Sequence, residues 1–416
     1  MLKLTFRLIV LLLLIVFAIL AWIIGTHTGT AWTLKQAENQ LDSLKIDGLS
    51  GRLYDDLRIE RLEFKDKQTL LQATNLQTAW DLSCLLNKTL CLNNISLAHL
   101  KLSLPPAVDE KPAAEGEKDF SIPALPLQIK LSNASIDLLE FTQGESTHVI
   151  NNIALSATTD ASSINLSHAS LEWDNNKAQL QAVLKLTEHY PLEADLSLTV
   201  PELLGPETTT LSLQAEGPLK KSLNVEAQLQ GHQRAKLKAS VAPLAKPIEL
   251  QGLLQAELLQ SPAAESESVK LQNLRFDFEG DLEELLFTTH STVTVPQIPE
   301  NTVDISAKLV QLANLEDLQL TVNALGGKAL LQGQVGWKDN ISWQLKGNFK
   351  DLDLALLRDD LEGQVSGTLA STGHRDNGEF LSPQTSLNLD GTLLGRPLDG
   401  TLDLSLNKGQ QIELRA

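Results

Sequence analysis

Residues 191–200, which read PLEADLSLTV, decide the fold because they carry the plainest strand pattern in the chain. Apolar side chains occupy every second position from Leu192 to Val200, and acidic or hydroxyl side chains occupy the positions between them. Successive side chains of a β-strand point to opposite faces of a sheet, so this period of two places the apolar groups together. The stretch therefore predicts a half-buried strand.

The same alternation recurs roughly every 12 to 15 residues through the rest of the chain. Turn-forming residues separate the copies, as at Gly217-Pro218 and Asp339-Asn340. Further copies lie at residues 211–215, 223–229, 235–241, 248–258, 303–309, 318–322, 343–349 and 402–406. The pattern predicts an all-β protein of roughly 20 strands in a long antiparallel meander. A sheet of that width is expected to be elongated and to curl along its length.

The N-terminal stretch predicts a transmembrane anchor, residues 1–33. Every residue from Leu8 to Ile24 is apolar, and at about 1.5 Å per residue this run extends roughly 25 Å. Lys3 and Arg7 precede it without an acidic residue, so the positive-inside rule keeps the N-terminus in the cytoplasm. We therefore expect a single-pass protein of the bacterial inner membrane whose bulk is periplasmic. The residues expected to contact the bilayer are Leu8, Leu12, Val16, Leu20, Trp22 and Ile24.

A cleaved signal peptide is the alternative interpretation of the same stretch. Gly29 and Ala31 are small and spaced as a cleavage site requires. Against cleavage, the apolar run is longer than a usual signal core, and Trp22 stands where a polar region should begin. The chain after the apolar run is exported under either interpretation.

Beyond the anchor, composition divides the chain into three further segments. Residues 34–104 begin with a short amphipathic helix over 34–44, in which leucine and alanine recur at helical spacing, and continue into the first strands with both cysteines. Residues 105–126 are rich in Pro, Ala, Glu and Lys, which predicts a linker or mobile loop. Residues 127–416 form the repetitive β-region, interrupted by a predicted two-turn helix over 351–360.

The two cysteines, Cys84 and Cys91, are close in sequence. If the chain turns at Asn87-Lys88, the two sulfur atoms come opposite each other, and an oxidising compartment then favours a disulfide. Two free thiols on neighbouring strands are the alternative. Metal binding is disfavoured because the CxxC spacing and nearby histidines of a metal site are missing from the sequence.

The charge of the chain excludes nucleic acid as a partner. The net charge is −18, and Lys3 and Arg7 contribute +2, which leaves −20 for the rest. An acidic surface repels phosphate backbones, and the sequence contains no run of Lys and Arg that would attract them.

Catalysis is not predicted by any arrangement of residues in the sequence. The 8 histidines are scattered without a ligand pattern. Acidic pairs such as Asp55-Asp56 lie in polar stretches typical of solvated surface, and Gly326-Gly327 lacks the Lys and Ser/Thr of a phosphate-binding loop. We therefore expect neither an enzyme nor a cofactor or metal site.

The apolar face of such a sheet must be covered, and the sequence offers few helices to cover it. The face is either the filled core of a β-sandwich or an open groove completed by acyl chains, and the periodicity alone does not separate the two. If the groove is open, its lining is expected to include Leu196, Leu198, Leu213, Val225, Leu237, Ile305, Leu320 and Leu345.

Four stretches of the sequence resemble the TamB family of the AsmA-like superfamily. After the membrane segment and the short helix, residues 44–53 read LKIDGLSGRL, and residues 80–92 carry the paired cysteines as WDLSCLLNKTLCL. Residues 351–367 (DLDLALLRDDLEGQVSG) and 385–391 (TSLNLDG) resemble an internal repeat of that family.

The resemblance implies a β-taco, a sheet folded into a groove that is open on one side and apolar inside. It implies a bridge across the periplasm that conducts phospholipids toward the outer membrane. The alternative role that it implies is assembly of outer-membrane β-barrel proteins and autotransporters with the outer-membrane barrel TamA. The large C-terminal domain that engages this partner has no counterpart here, so the chain is expected to be an N-terminal portion of a longer protein.

Overall fold

The structure of the protein is a computed structural model, and the part of the chain that it describes falls into two compact units. The described residues are 22–41, 43–66, 69–105, 122, 127–144, 146–201, 207–260, 269–296, 298–338, 340–376, 379–406 and 412–415. The units are Met1–Val200 and Pro201–Ala416. Most of the predicted anchor lies outside the described residues, namely Leu8, Leu12, Val16 and Leu20.

The first unit contains one helix followed by nine strands within its described residues. Each strand pairs with the next one in sequence. Residues 22–25, just before the helix, are also helical. The elements are α1 (His27–Gln40), β1 (Leu44–Gly51), β2 (Asp56–Asp66), β3 (Thr69–Asp81), β4 (Thr89–Leu104), β5 (Gln128–Gln143), β6 (Ser146–Thr159), β7 (Ser163–Trp173), β8 (Asn176–Lys185) and β9 (Pro191–Val200).

The second unit contains fourteen strands within its described residues, and consecutive strands pair antiparallel throughout. The prediction of an all-β protein is therefore confirmed. The strands are β10 (Thr209–Pro218), β11 (Leu223–Gln230), β12 (Arg234–Val241), β13 (Glu249–Gln260), β14 (Lys270–Asp281), β15 (Glu284–Val295), β16 (Ile298–Val310), β17 (Asn314–Ala324), β18 (Gly327–Gly336), β19 (Ile341–Asp353), β20 (Gln364–Asp376), β21 (Glu379–Leu393), β22 (Arg396–Leu406) and β23 (Ile412–Arg415).

The pairing of β4 with β5 is parallel, which corrects the prediction of an antiparallel meander. Antiparallel neighbours are joined by a short turn, but a parallel neighbour requires the chain to return to the starting end of the strand. The connection between Leu104 and Gln128 makes this return. Most of the stretch predicted as a linker, residues 105–126, lies outside the described residues.

The helix predicted over residues 34–44 begins and ends earlier than expected. Helix α1 starts after Thr26, whose hydroxyl accepts a hydrogen bond from the N–H of Gly29 at 3.0 Å as an N-cap. The chain is extended at Leu41, and Leu44 pairs with Phe64 of β2. Leu44 therefore belongs to a strand, although the spacing of the leucines predicted a helix there, because pairing with β2 outweighs the local helical preference.

The predicted two-turn helix over residues 351–360 is wrong. Strand β19 continues to Asp353, which pairs with Gln364 of β20. Only Leu354–Leu356 forms a single 3₁₀ turn, which Asp353 caps by accepting a hydrogen bond from the N–H of Ala355 at 3.1 Å.

Helix α1 lies along the free edge of β1 and satisfies backbone groups that face away from β2. Glu38 Oε1 accepts a hydrogen bond from the N–H of Ile46 at 2.6 Å, and the buried Thr30 Oγ1 accepts one from the N–H of Leu53 at 3.1 Å. Hydrogen bonds from the Lys35 ammonium and from the Ile46 N–H hold the pKa of Glu38 below its usual value. The helix therefore covers an edge that would otherwise be open to strand addition.

Within the described residues, which begin at Trp22, the helices are too short and too polar to cross a bilayer. Only the last three residues of the apolar run that predicts the anchor, Trp22 to Ile24, are among the described residues.

Apolar side chains larger than alanine are rarely buried in the described part of the first unit. The buried apolar residues there are Leu57, Ile59, Ala73 and Cys91. Leu57 and Ile59 lie on β2, where Leu49 and Leu76 flank Ile59 on the neighbouring strands. Two of these four residues therefore lie on β2, next to β1, the strand that α1 covers.

Replacing Ile59 with alanine is expected to destabilise the first unit strongly. The side chain is 3% exposed, and truncation of a buried isoleucine costs about 2–5 kcal/mol of unfolding free energy. Val149→Ala is the control in the same unit, because Val149 is 43% exposed and its truncation should cost less than about 1 kcal/mol. Urea unfolding of the full chain, followed by circular dichroism, measures both values. Equal shifts of the two midpoints would contradict the assignment of this core.

Candidate functional site: the apolar face of the sheet

One row of side chains crosses the second unit from strand to strand on a single face. Direct cross-strand partners share a face of a sheet, so the row follows from the register. Thr289 is its only polar side chain and Gly347 its only glycine. This apolar row consists of Leu213, Ala227, Leu237, Leu254, Phe276, Thr289, Ile305, Leu320, Leu331, Gly347, Leu369, Leu387 and Leu402.

The apolar row is partly exposed along its whole length. Every member is half-buried, with none in the fully buried class and none in the exposed class. Within the described residues of the second unit, the buried apolar side chains are Ala215, Ala242, Ala256, Ala307, Ala313 and Val365. A filled sandwich core buries its large aliphatic side chains almost completely. The leucines of the row therefore lack the burial that an opposing protein layer would give them.

The opposite face of the second unit is polar and carries ion pairs between neighbouring strands or along one strand. The hydrogen bond from Lys308 Nζ to Glu284 Oε1, 2.8 Å long, raises the pKa of that lysine. The charged side chains concerned are between 25% and 68% exposed, so each pair adds little stability. The other pairs are Lys238–Glu226 at 3.0 Å and Arg275–Asp277 at 2.7 Å, and a hydrogen bond of 2.6 Å joins His290 Nδ1 and Asp304 Oδ1.

A concavity of about 1140 Å³ is lined mostly by residues of this polar face, and also by residues of the opposite face that include Val225, Phe278 and Phe287. Its lining includes Glu226, Lys238, Asp277 and Lys308. These charges already form ion pairs with one another or with neighbours on the same face. Within the described residues, His, Cys, Asp and Glu side chains form no cluster that could hold a metal ion.

Aromatic rings on the apolar face lie over glycines of the neighbouring strand. Phe278 pairs directly with Gly252, and a Cβ added to this glycine would lie 2.5 Å from Phe278 Cζ. Gly373 is in the same position under Trp343, where an added Cβ would lie 2.5 Å from Cζ2. The glycines therefore leave room for the flat rings to lie close to the backbone of the neighbouring strand.

Three phenylalanines form a cluster on the same face. The ring centroid of Phe276 lies 5.8 Å from that of Phe278 and 5.3 Å from that of Phe287. Sequence analysis missed this cluster. The alternation of Leu274, Phe276 and Phe278 in β14 was the signal that could have found it.

The first unit has an apolar row of its own, on strands β2 to β9. Its only polar member is Thr78, which lies between Leu57 and Ile95. The row consists of Leu57, Thr78, Ile95, Ala134, Leu155, Ala169, Leu180 and Leu196. It continues across the parallel pair β4–β5 because Ile95 and Ala134 are register partners.

The eight predicted lining residues lie on these apolar faces. In the second unit, Leu213, Leu237, Ile305 and Leu320 are members of the apolar row. Val225 pairs with Ala215 and Ala239 beside the row, and Leu345 pairs with Gly333 and Ser371. In the first unit, Leu196 belongs to the row, and Leu198 pairs with Ala178 beside it. That they line a groove for lipid stays a prediction.

Cys84 and Cys91 are joined by a disulfide, with their Cα atoms 5.9 Å apart. The turn between them differs from the predicted hairpin, because Leu82–Asn87 forms a 3₁₀ helix and only Lys88 adopts the left-handed conformation. Cys91 belongs to β4, so the disulfide ties this helix to the start of that strand.

These features define the class of protein: a β-sheet scaffold that presents a continuous, incompletely covered apolar surface opposite a polar one. The chain belongs to the TamB family, because the family model for the TamB N-terminal domain matches residues 15–141 and 120–416. This match confirms the resemblance inferred from the four sequence stretches. No solved structure matches the chain.

Placing a methyl group under the Phe278 ring tests whether this ring packs directly against Gly252. In Gly252→Ala, the new Cβ would contact the Phe278 ring and the backbone oxygen of Lys238 at 2.7 Å, so we expect a loss of about 1–3 kcal/mol of unfolding free energy. Gly400→Ala is the matched control, since nothing lies within 4 Å of its Cβ position. Urea unfolding of both variants gives the comparison. A Gly252→Ala variant as stable as the control would mean that the ring does not lie over the glycine.

Proposed function

We propose that the chain is an inner-membrane-anchored periplasmic bridge that conducts phospholipids toward the outer membrane, with acyl chains lying along its apolar face. The observation that carries this proposal is the apolar row of the second unit, unbroken by charge over thirteen strands and half-exposed at each. At about 4.8 Å per strand, the row provides a path of roughly 58 Å.

The energetics of acyl transfer favour a surface of this kind. A lipid that leaves a bilayer exposes its acyl chains to water, which costs about 0.8 kcal/mol for each CH₂ group. A continuous aliphatic face shields part of that surface at every step. Leucine, isoleucine and alanine offer no specific polar contacts, so they would hold a chain without fixing it at one position.

Membrane anchoring is supported by the apolar N-terminal run and by the structure that follows it. Thr26, the N-cap of α1, marks a bend between the helical residues 22–25 and α1. A Cβ on Gly29 would lie 2.7 Å from the Cα of Ile23, so the two helical segments meet closely at this glycine. The end of the apolar run is thus built into the fold of the first unit.

The alternative role, assembly of outer-membrane barrel proteins together with TamA, would use a free strand edge to receive client strands. On the edge of β1, the N–H of Ile46 is already bonded to Glu38 of α1, which makes this edge less suited to that use. Strand β23, at the other edge, pairs with β22 alone among the described strands, so the preference for the lipid proposal rests on the apolar row.

Photocrosslinking distinguishes lipid conduction from strand capture. A benzophenone amino acid at Leu320, in the full chain isolated from cells, is expected to crosslink phospholipid because this position lies in the apolar row. The same probe at Gln319, the neighbouring position on the polar face, is the matched control. Equal lipid yields at both positions would contradict the proposal, and crosslinks from Leu320 to outer-membrane barrel proteins would favour the assembly role.

A charge in the apolar row is expected to stop lipid movement without unfolding the sheet. Leu320→Asp places a carboxylate in the acyl path, which costs several kcal/mol for each passing chain. Because Leu320 is half-exposed, water can still reach the new carboxylate in the folded protein. We expect a β-type circular dichroism spectrum together with reduced transfer of phospholipid to the outer membrane.

The control for this variant is Gln319→Asp, which adds the same charge to the same strand on the opposite face. It should leave transfer unchanged. Unfolding of Leu320→Asp alone would indicate a sealed core and a structural spacer. Normal lipid transfer by a folded Leu320→Asp protein would contradict conduction along this row.

A further inference from the structure

The loop closed by the disulfide exposes two leucines at its tip. Leu86 is 90% exposed and Leu85 is 42% exposed, although both are strongly apolar. This disulfide loop, defined as residues 82–88, carries no charge between Asp81 and Lys88. Isolated exposed leucines are common on protein surfaces, so exposure alone does not assign a role.

The disulfide loop is held in a defined conformation. Asp81 caps the 3₁₀ helix by accepting a hydrogen bond from the N–H of Ser83 at 2.9 Å, and the hydroxyl and N–H of Ser83 hold the pKa of Asp81 below its usual value. At the other end, the N–H of Lys88 donates to the oxygen of Leu85 at 2.9 Å. With the Cys84–Cys91 bond, these contacts keep the leucines from folding back onto the sheet.

The position of the loop in the fold points to its partner. It joins β3 to β4 at the end of the first unit where β1 turns into β2, since the N–H of Trp80 donates to the oxygen of Asp55 at 3.2 Å. Tyr54, in that β1–β2 turn, is also exposed. Leu127 is a further exposed apolar residue at this end, because Gln128 donates its N–H to the oxygen of Lys88 at 3.0 Å.

The start of α1 lies at this same end of the first unit. Thr30, in its first turn, hydrogen-bonds the N–H of Leu53 in the β1–β2 turn. Trp22 and Trp32 are both exposed here, with ring centroids 6.1 Å apart. Trp22 lies near the end of the apolar run that predicts the anchor. Tryptophan and tyrosine are the side chains that collect at the interface between a bilayer and water.

We propose that the disulfide loop is a second membrane contact, in which Leu85 and Leu86 enter the interfacial layer of the bilayer that holds the anchor. This inference rests on the anchoring part of the proposed function. Strands β1 to β4 separate the loop from α1 by roughly 15 Å across the sheet, at about 4.8 Å per strand. Two contacts separated in this way would fix the tilt of the first unit and hold the end of its apolar row against the lipid surface.

A site-specific lipid crosslink tests the second contact. The full chain is reconstituted in nanodiscs of phosphatidylethanolamine and phosphatidylglycerol, with a benzophenone amino acid at Leu86. Leu41 is the matched control, because it is 50% exposed and lies past the far end of α1. An interfacial leucine should give about tenfold more lipid adduct than a solvated one. Equal yields from Leu86 and Leu41 would overturn the proposal.

A second variant makes the test independent of the probe at the tip. Leu85→Asp combined with Leu86→Asp removes the apolar tip but leaves the fold intact, because both side chains are exposed. With the benzophenone at Tyr54, this double variant is expected to reduce the lipid adduct about fivefold, since charged residues avoid the interface. An unchanged adduct at Tyr54 would count against membrane contact by the loop.

The outcome is separable from that of the proposed function. If lipid crosslinks are absent at Leu320 but present at Leu86, lipid conduction is contradicted and membrane contact by the disulfide loop is supported. If the chain remains in the nanodisc but gives no lipid crosslink at Leu86, only the proposed membrane contact of the disulfide loop is contradicted. In cells, crosslinks from Leu86 to a protein instead of lipid would assign the exposed leucines to a protein partner and overturn the proposal.

Discussion

The register between neighbouring strands is the constraint on which the rest of this structure depends. Leu320 meets Ile305 on one side and Leu331 on the other, and a slip of one residue would bring Gln319 or Thr321 into the row. The same holds at each pairing, because side chains alternate between faces with a period of two. Where a bulge interrupts a ladder, as between Gln272 and Arg275, the apolar positions on either side still meet. The apolar face is therefore continuous only because every pair of neighbouring strands keeps its register.

A protein with so much half-covered apolar surface needs protection from association with itself. The net charge of −18 provides repulsion between copies, and the polar face is lined with solvated ion pairs. Helix α1 occupies the edge of β1 through Glu38 and Thr30. These features oppose association between copies through the apolar face, as the proposed lipid conduction requires.

Sequence patterns predicted an element best where the conformation of a residue depends on its neighbours in the sequence. Strand β9 spans Pro191–Val200, as its alternation indicates, and the local pair Cys84 and Cys91 forms a disulfide. The predictions that were wrong depended on partners distant in sequence. Leucine spacing over residues 34–44 indicated a helix, but Leu44 belongs to a strand because Phe64 pairs with it. The parallel pair β4–β5 depends on where the chain after Leu104 returns, which alternation within a strand does not express.

The sequence by itself determined that this is an all-β protein of the TamB family and which residues of each strand share a face, because alternation is a local property of the chain. It also placed the eight candidate lining residues on apolar faces. Only the tertiary structure decided how those faces join across strands, that rings such as Phe278 lie over glycines, and that the leucines of the row remain half-exposed. The physical reason is that burial depends on what stands opposite a side chain in space, and the period of two fixes the direction of a side chain without specifying its neighbour.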